Sequence, residues 1–324
     1  MIPMVPKALS SYFSLPDDVC WTDIGSGHMN QSWIGSVDSE PTIVLRISTQ
    51  FRTVCEIRQE MALLEELYGK TRGLVAPGLP GQDSELVQRI DGDYYSLFPF
   101  RSGTLMSMWE PEQVKPAAEA LAILHAAAFD MVGLKGFKDA RPPFTASAIQ
   151  LPDGLRRQII DSPLAGKFIA LGLTVEALDE AIISARTIWE EPTIETAVRI
   201  PIHGDYGPIN ILWAPEDRVV TTVLDWDESR WDLPVFDLAS AVQFFADPTD
   251  GSRFSERFMN SYLNRLDEYS HILANEVDRI LPMMDRIRQA VSVRELLFDL
   301  EHSIQVDGEI ETDLIKMFVD GAIS

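Results

Sequence analysis

The sequence predicts an α+β chain in two parts, an antiparallel sheet carrying one helix followed by a mainly helical region that holds a small β-hairpin. Three observations predict this. Short strand-like runs bounded by turn residues fill residues 18–48 and 86–98. Between them, only Val54 to Tyr68 repeats its apolar residues with a helical period. Beyond residue 101 the helical period dominates, broken once near residues 210–226.

Taken in order, Ile34 to Val37 and Thr42 to Ile47 are strand-like runs joined by Asp38-Ser39-Glu40-Pro41, which reads as a hairpin. The helix from Val54 to Tyr68 aligns Ile57, Met61, Leu64 and Tyr68 with Leu63 and Leu67, and Gly69 is positioned to end it. Leu86 to Ile90 and Tyr94 to Phe98 form a second hairpin, turned by Asp91-Gly92-Asp93. Pro99-Phe100-Arg101-Ser102-Gly103 is a natural hinge, so residues 1–100 are expected to form one lobe and 101–324 the other. Pro111 to Phe129 then reads as a helix opened by Pro-Glu, with Ala117, Leu121, Leu124 and Ala128 on its apolar stripe. Residues 141–152 are rich in proline and irregular, and helices are expected over about 153–170 and 174–191. Asn210 to Ala214 and Val219 to Trp226 make the inserted hairpin, and the chain from about 235 onward is helical. A sheet with one helix, a hinge, and a helical part with one hairpin is the layout of a protein-kinase-like fold.

Composition narrows the function. The 324 residues carry 50 acidic against 27 basic side chains, a net charge of −23. Phosphate-backbone binding needs a basic surface, so nucleic acid is excluded as a partner. Anionic membrane surfaces are disfavoured for the same reason, and no apolar run approaches the ~18 residues that span a bilayer. The field favours solubility and can steer cationic small molecules. The segment Met1 to Ser11 lacks the apolar core of a secretory signal. Cys20 and Cys55 have neither metal-ligand spacing nor the density of a disulfide framework, and a reducing cytoplasm fits them.

The segment that carries chemistry is His203-Gly204-Asp205-Tyr206-Gly207-Pro208-Ile209-Asn210, followed by Val223-Leu224-Asp225-Trp226-Asp227. Asp205 and Asn210 have the Asp-x4-Asn spacing of a kinase catalytic loop. Asp225 ends the second strand of the hairpin, where a metal-binding carboxylate reaches into a cleft. Phosphoryl transfer demands positioning and charge neutralisation more than covalent work. Mg²⁺ takes oxygen ligands, with one or two from protein and the rest from phosphates and water. Asn210 and Asp225 supply such oxygens, and Asp205 can accept the proton of a substrate hydroxyl. Either short pattern alone is as compatible with turn and cap residues; their order and placement select the catalytic reading. His203 reads as a loop-holding histidine rather than a base.

These residues, with Ile211-Leu212 and Pro234-Val235-Phe236-Asp237-Leu238-Ala239, resemble the aminoglycoside phosphotransferase family, a group that includes choline kinase-like and type II homoserine kinase-like enzymes. The resemblance implies a two-lobed kinase-like fold, ATP or GTP as donor, Mg²⁺, and transfer to a hydroxyl of a small molecule. It implies Asp205 as catalytic base and Asn210 and Asp225 as metal ligands, with Asp237 as a supporting helix cap.

The same resemblance organises the N-terminal half. Ile24-Gly25-Ser26-Gly27-His28-Met29-Asn30 lies where backbone N–H groups cradle phosphates, with Gly25, Ser26 and Gly27 as the nucleotide contacts, although a plain hairpin turn has the same composition. Arg46 in Val44-Leu45-Arg46-Ile47 stands where kinases carry a phosphate-binding Lys, a departure that keeps the charge and changes its geometry. Glu60 is the acid expected to orient it, with Glu56 as the alternate. Phe98 and Phe100 flank the hinge expected to meet the adenine edge, and can equally serve as core. His125 reads as structural, and Trp226, Trp231, Phe244, Phe245 and Phe258 as core that can extend to an acceptor pocket. Asp225, Asp227, Glu228 and Asp232 form an acidic stretch suited to an amine-bearing acceptor, or are ordinary loop charges. Two other functions fit less of the sequence. A non-catalytic nucleotide-binding regulator is suggested only by Arg46, and a protein Ser/Thr kinase lacks an Ala-Pro-Glu-type segment after Asp225.

Overall fold

The structure is a computed structural model of the chain. It describes residues 9–16, 18–26, 30–48, 52–71, 73–105, 111–131, 149–151, 153, 156–157, 165–170, 174–214, 218–245 and 251–305. The chain forms two compact units, Met1–Pro142 with Pro201–Trp231, and Pro143–Ile200 with Asp232–Ser324. Packing therefore divides the chain differently from the hinge at residue 100: the hairpin and its flanking motifs belong with the N-terminal sheet.

In the first unit, a short helix α1 (Leu9–Phe13) precedes β1 (Cys20–Ser26), β2 (Asn30–Val37), β3 (Glu40–Ser48), the helix α2 (Val54–Lys70), β4 (Gln88–Ile90) and β5 (Asp93–Pro99). The sheet runs in the order β1-β2-β3-β5-β4 and its pairings are antiparallel. Both expected hairpins are present. Asp38 and Ser39 take φ of 51° and 68°, and Asp91 and Gly92 take 53° and 105°, the left-handed pairs that let two-residue turns match strand twist.

The sheet has two unlike faces because side chains alternate along a strand. One face is apolar: Trp33, Leu45, Ile47, Tyr95 and Leu97 pack with Leu9 and Phe13 of α1. On the other, Asn30, Arg46, Ser48 and Ser96 are polar and yet buried. The register places Arg46 opposite Ser96 and Ser48 opposite Asn30.

Helix α2 starts with a capping box in which Thr53 and Glu56 exchange side-chain and backbone hydrogen bonds. It does not stop at Gly69 as the sequence suggested; it runs through Lys70, and the Thr71 N–H donates to the Leu67 carbonyl. Its buried stripe is Ile57, Glu60, Met61, Leu63, Leu64 and Leu67, so one carboxylate sits within an otherwise apolar face.

After β5 come a 3₁₀ turn at Pro111–Gln113 and α3 (Val114–Phe129), in which His125 is buried. The remaining strands are β6 (Ile200–Ile202), β7 (Ile211–Ala214), β8 (Val219–Val223) and β9 (Arg230–Asp232); β7 pairs with β8 as the inserted hairpin, and β6 pairs with β9.

The second unit is helical: α4 (Ala165–Ala170), α5 (Val175–Arg186), α6 (Pro192–Glu195), α7 (Pro234–Phe244), α8 (Gly251–Tyr269), α9 (His271–Ile280) and α10 (Met284–Gln305). Phe245 and Phe258 stack at 5.3 Å in its core, as their patterning suggested. Most of the proline-rich stretch 141–152 lies outside the described residues. Among the described residues, no helix is long and apolar enough to cross a membrane.

Candidate active site

The catalytic loop is built by backbone strain and local hydrogen bonds. Gly204 takes φ +90°, and a Cβ there would lie 2.2 Å from the Glu228 carbonyl oxygen. Only glycine fits this turn between His203 and Asp205. His203 is buried and holds the loop from both ring nitrogens. Its Nε2 donates to the Leu224 carbonyl at 2.8 Å, and its Nδ1 accepts the Asp205 backbone N–H at 3.2 Å. Those two partners fix its tautomer. Tyr206 is fully buried and its hydroxyl donates to the Ala117 carbonyl at 2.8 Å, tying the loop to α3.

Asn210 donates its amide nitrogen to both the Asp205 backbone carbonyl, at 2.9 Å, and Asp205 Oδ2, at 3.0 Å. The amide oxygen is therefore the atom turned away from Asp205. The Leu224 N–H donates to the Asn210 carbonyl at 2.8 Å, which brings Asp225 next to the strand that Asn210 opens. Asp225 itself has φ 57° and ψ 67°, a left-handed conformation that Asp tolerates and that re-aims its side chain at the end of the hairpin.

Arg46 and Glu60 meet at 2.7 Å, both buried. Glu56, the alternate, is only partly buried and committed to the capping box. The second oxygen of Glu60 lies 2.8 Å from Arg52, a residue the sequence reading did not select. Both contacts are within hydrogen-bonding distance, so each guanidinium takes one carboxylate oxygen in a charge-assisted pair. Burial pushes the Glu60 carboxyl up, but the charges of Arg46 and Arg52 outweigh it and hold it below the usual value. The Arg46 guanidinium also lies 4.9 Å from the centre of the Phe98 ring, a cation–π contact.

Two carboxylates complete the group. Asp225 is surface-accessible but ringed by protein; that enclosure raises it above the usual carboxylate range, Arg46 opposes the rise, and Glu60 and Asp205 add to it. Asp227 is buried and pushed up to about 8 by burial, then by Asp225, Glu60 and Glu228, with Arg52 opposing. Its Oδ2 accepts the side-chain amide of Asn30 at 2.9 Å, across 197 residues of sequence. The acidic stretch is thus not one acceptor-facing surface. Asp227 is taken up here, and Asp232, in the other unit, is buried against Arg199 at 3.2 Å and the Leu233 N–H at 2.9 Å.

Other expected contacts resolve differently. Gly25 and Ser26 belong to the β1 ladder, opposite Ser32 and Gln31 after an irregularity at Asp23, so the strand runs further than the glycine pattern suggested. Gly27 lies outside the described residues. The Phe100 N–H donates to the Thr42 carbonyl at 2.9 Å, which removes it as a donor to a base edge. Asp237 is not a helix cap: α7 is preceded by Leu233, and Asp237 is buried within the first turn. Pro234 occupies the first helical position and shifts the start upstream of the Asp.

Arg46, Glu60, Asp205, Asn210 and Asp225 all lie in the first unit, on a kinase-like sheet, helix and hairpin. The sequence matches the family model described as phosphotransferase enzyme family over residues 21–272, and the chain belongs to that family, whose members are small-molecule kinases. The fold is similar to a microcompartment-associated aminopropanol kinase, with 17% identity, 98% of this chain and 93% of that chain covered, and a TM-score of 0.67. It is similar to an amicoumacin kinase solved with AMP-PNP and Ca²⁺, with 12% identity, 98% and 91% covered, and a TM-score of 0.70. A spectinomycin phosphotransferase in complex with ADP and spectinomycin is similar at 13% identity, 98% and 95% covered, with a TM-score of 0.67. A search of curated proteins found no significant match.

Proposed function

We propose that this chain transfers the γ-phosphate of ATP, or GTP, to a hydroxyl of a small molecule in the cytoplasm. The observation that carries the reading is the joint placement of Asp205, hydrogen-bonded to Asn210, and the Arg46–Glu60 ion pair within one unit. Asp205 accepts the hydrogen bond of the acceptor hydroxyl, aims it, and takes its proton late in the transfer. Arg46, oriented by Glu60, offers N–H groups to phosphate oxygens. Phe98 backs that guanidinium, and the hinge offers carbonyls and the N–H groups beyond Phe100 to the base. Gly25, Ser26 and Gly27 close over the phosphates. By role, residues 1–100 clamp the nucleotide and 101–324 carry catalysis and the acceptor.

Mg²⁺ fits the donor set. Among the described residues, no three carboxylate, imidazole or thiolate side chains converge as a self-sufficient metal site. What Asn210 and Asp225 offer is one amide oxygen and one carboxylate short of positive charge, the small protein share Mg²⁺ takes when phosphates and water complete its shell. The ion would neutralise charge on the transferring group.

The similar structures act on aminopropanol, amicoumacin and spectinomycin by their descriptions. Together with the net charge of −23, they support an amine-bearing alcohol as acceptor through long-range steering rather than through Asp227 or Asp232. The test is Mg²⁺-dependent ADP release over a panel of amino alcohols, aminoglycosides, choline-like alcohols, homoserine and sugars. Asp205→Ala should lower turnover of any active acceptor about 10²-fold or more. Equal turnover by the variant removes Asp205 as base, and nucleotide binding with no transfer across the panel favours a regulator.

A further inference from the structure

The Arg46–Glu60 pair explains one oxygen of Glu60. The other belongs to Arg52, which directly precedes the capping box of α2 and is buried. Arg52 faces a crowd of charges: Glu60 and Glu56 from α2, and Asp227 from the turn after β8. Helix α2 packs against that turn, Trp226–Glu228. On its other flank Asp227 is held by Asn30, the first residue of β2, directly after the glycine segment. Two buried contacts therefore flank the packing of α2 on that turn: Arg46 and Arg52 share Glu60 on the helix side, and Asn30 holds Asp227 on the turn side. Through that packing they join the phosphate-side cation to both the turn carrying Asp225 and the start of the strand that follows the glycines.

We propose that Arg52 and Asn30 are positioning residues for the nucleotide phosphates: Arg52 holds Glu60 and Asn30 holds Asp227, so that Arg46 and the Asp225 turn are held in register. The proposal rests on the reading of Arg46 as the phosphate-binding cation. A guanidinium suits the task because it keeps its charge when buried beside Glu60. Neither residue touches the reacting atoms. Asn30 adds a directional bond where a charge alone would leave Asp227 free to rotate. Outer groups of this kind orient the atoms that do touch the ligand.

The experiment compares binding of Mg·ADP, or Mg·GDP if that is the tighter, with binding of the matching nucleoside by calorimetry. Arg52→Met and Asn30→Ala are each expected to weaken the Mg·nucleotide about tenfold or more while nucleoside affinity is unchanged, and Arg52→Lys is expected to recover most of the loss. A purely structural role would weaken both ligands equally, and that result overturns the proposal. Unchanged Mg·nucleotide affinity in both variants also overturns it. If Arg52→Met does not fold, Asn30→Ala decides alone, since it removes a neutral side chain rather than a buried charge. Arg46→Ala separates the underlying reading. If that variant keeps the full preference for nucleotide over nucleoside, the assignment of Arg46 fails. If it loses the preference while the Arg52 and Asn30 variants keep it, only the positioning role fails.

Discussion

Two halves of the same site are assembled on opposite terms. The catalytic loop is saturated: His203 uses both ring nitrogens, Tyr206 is tied to α3, and Asn210 grips Asp205 twice. The sheet side is not. Arg46, Glu60, Arg52, Asp225 and Asp227 crowd together, two guanidiniums on one carboxylate, with both aspartates held above their ordinary range. On the proposed function, the saturated half keeps a base still, and the other half takes up charges that arrive with the nucleotide, phosphate oxygens for the arginines and a cation for Asp225.

The comparison is broken most severely by Glu60→Gln. That change leaves two buried guanidiniums facing a neutral amide, and removing one partner of a buried ion pair costs about 3–5 kcal/mol. Chemical denaturation at pH 7 should show the loss. Because the Glu60 carboxyl is held below its unfolded value of 4.5, its contribution is complete above that value and disappears as pH falls through the lower folded one. The gap between wild type and Glu60→Gln should therefore close in acid; a gap that holds constant with pH contradicts the ion-pair account.

Gly204→Ala tests the saturated half. A Cβ at φ +90° and 2.2 Å from the Glu228 oxygen forces the loop to shift, with an expected loss on the order of 3 kcal/mol. Retention of the wild-type denaturation midpoint would mean the turn relaxes freely. Tyr206→Phe removes a single hydrogen bond to the Ala117 carbonyl and should lower stability by about 1 kcal/mol, with nucleotide affinity unchanged. A larger drop in nucleotide affinity than in stability would place α3 within the binding site.

Much of the saturated half could be read directly from the chain. Asp205, Asn210 and His203 lie within eight residues, so the Asp-x4-Asn spacing was visible and the hydrogen bonds among them are local. Glu60 was separable from Glu56 only by the structure, because both sit on α2 and the Thr53–Glu56 box is as good a local explanation as any. Arg52 gave no signal. An arginine before a helix cap looks like any solvated charge until the fold buries it against Glu60. Asn30 was within the glycine-rich segment, but its partner lies 197 residues away.

Local rules settled the hairpins, the α2 start and the order of the catalytic motifs, since turn chemistry, caps and apolar period act over a few residues. They also settled the family. What they could not decide was which charges share a buried volume. That depends on distances between segments remote in sequence, and on the loss of water that makes each charge depend on its neighbours. The Asn30–Asp227 bond and the Arg52–Glu60 pair exist only once β2, the start of α2 and the turn after β8 have come together.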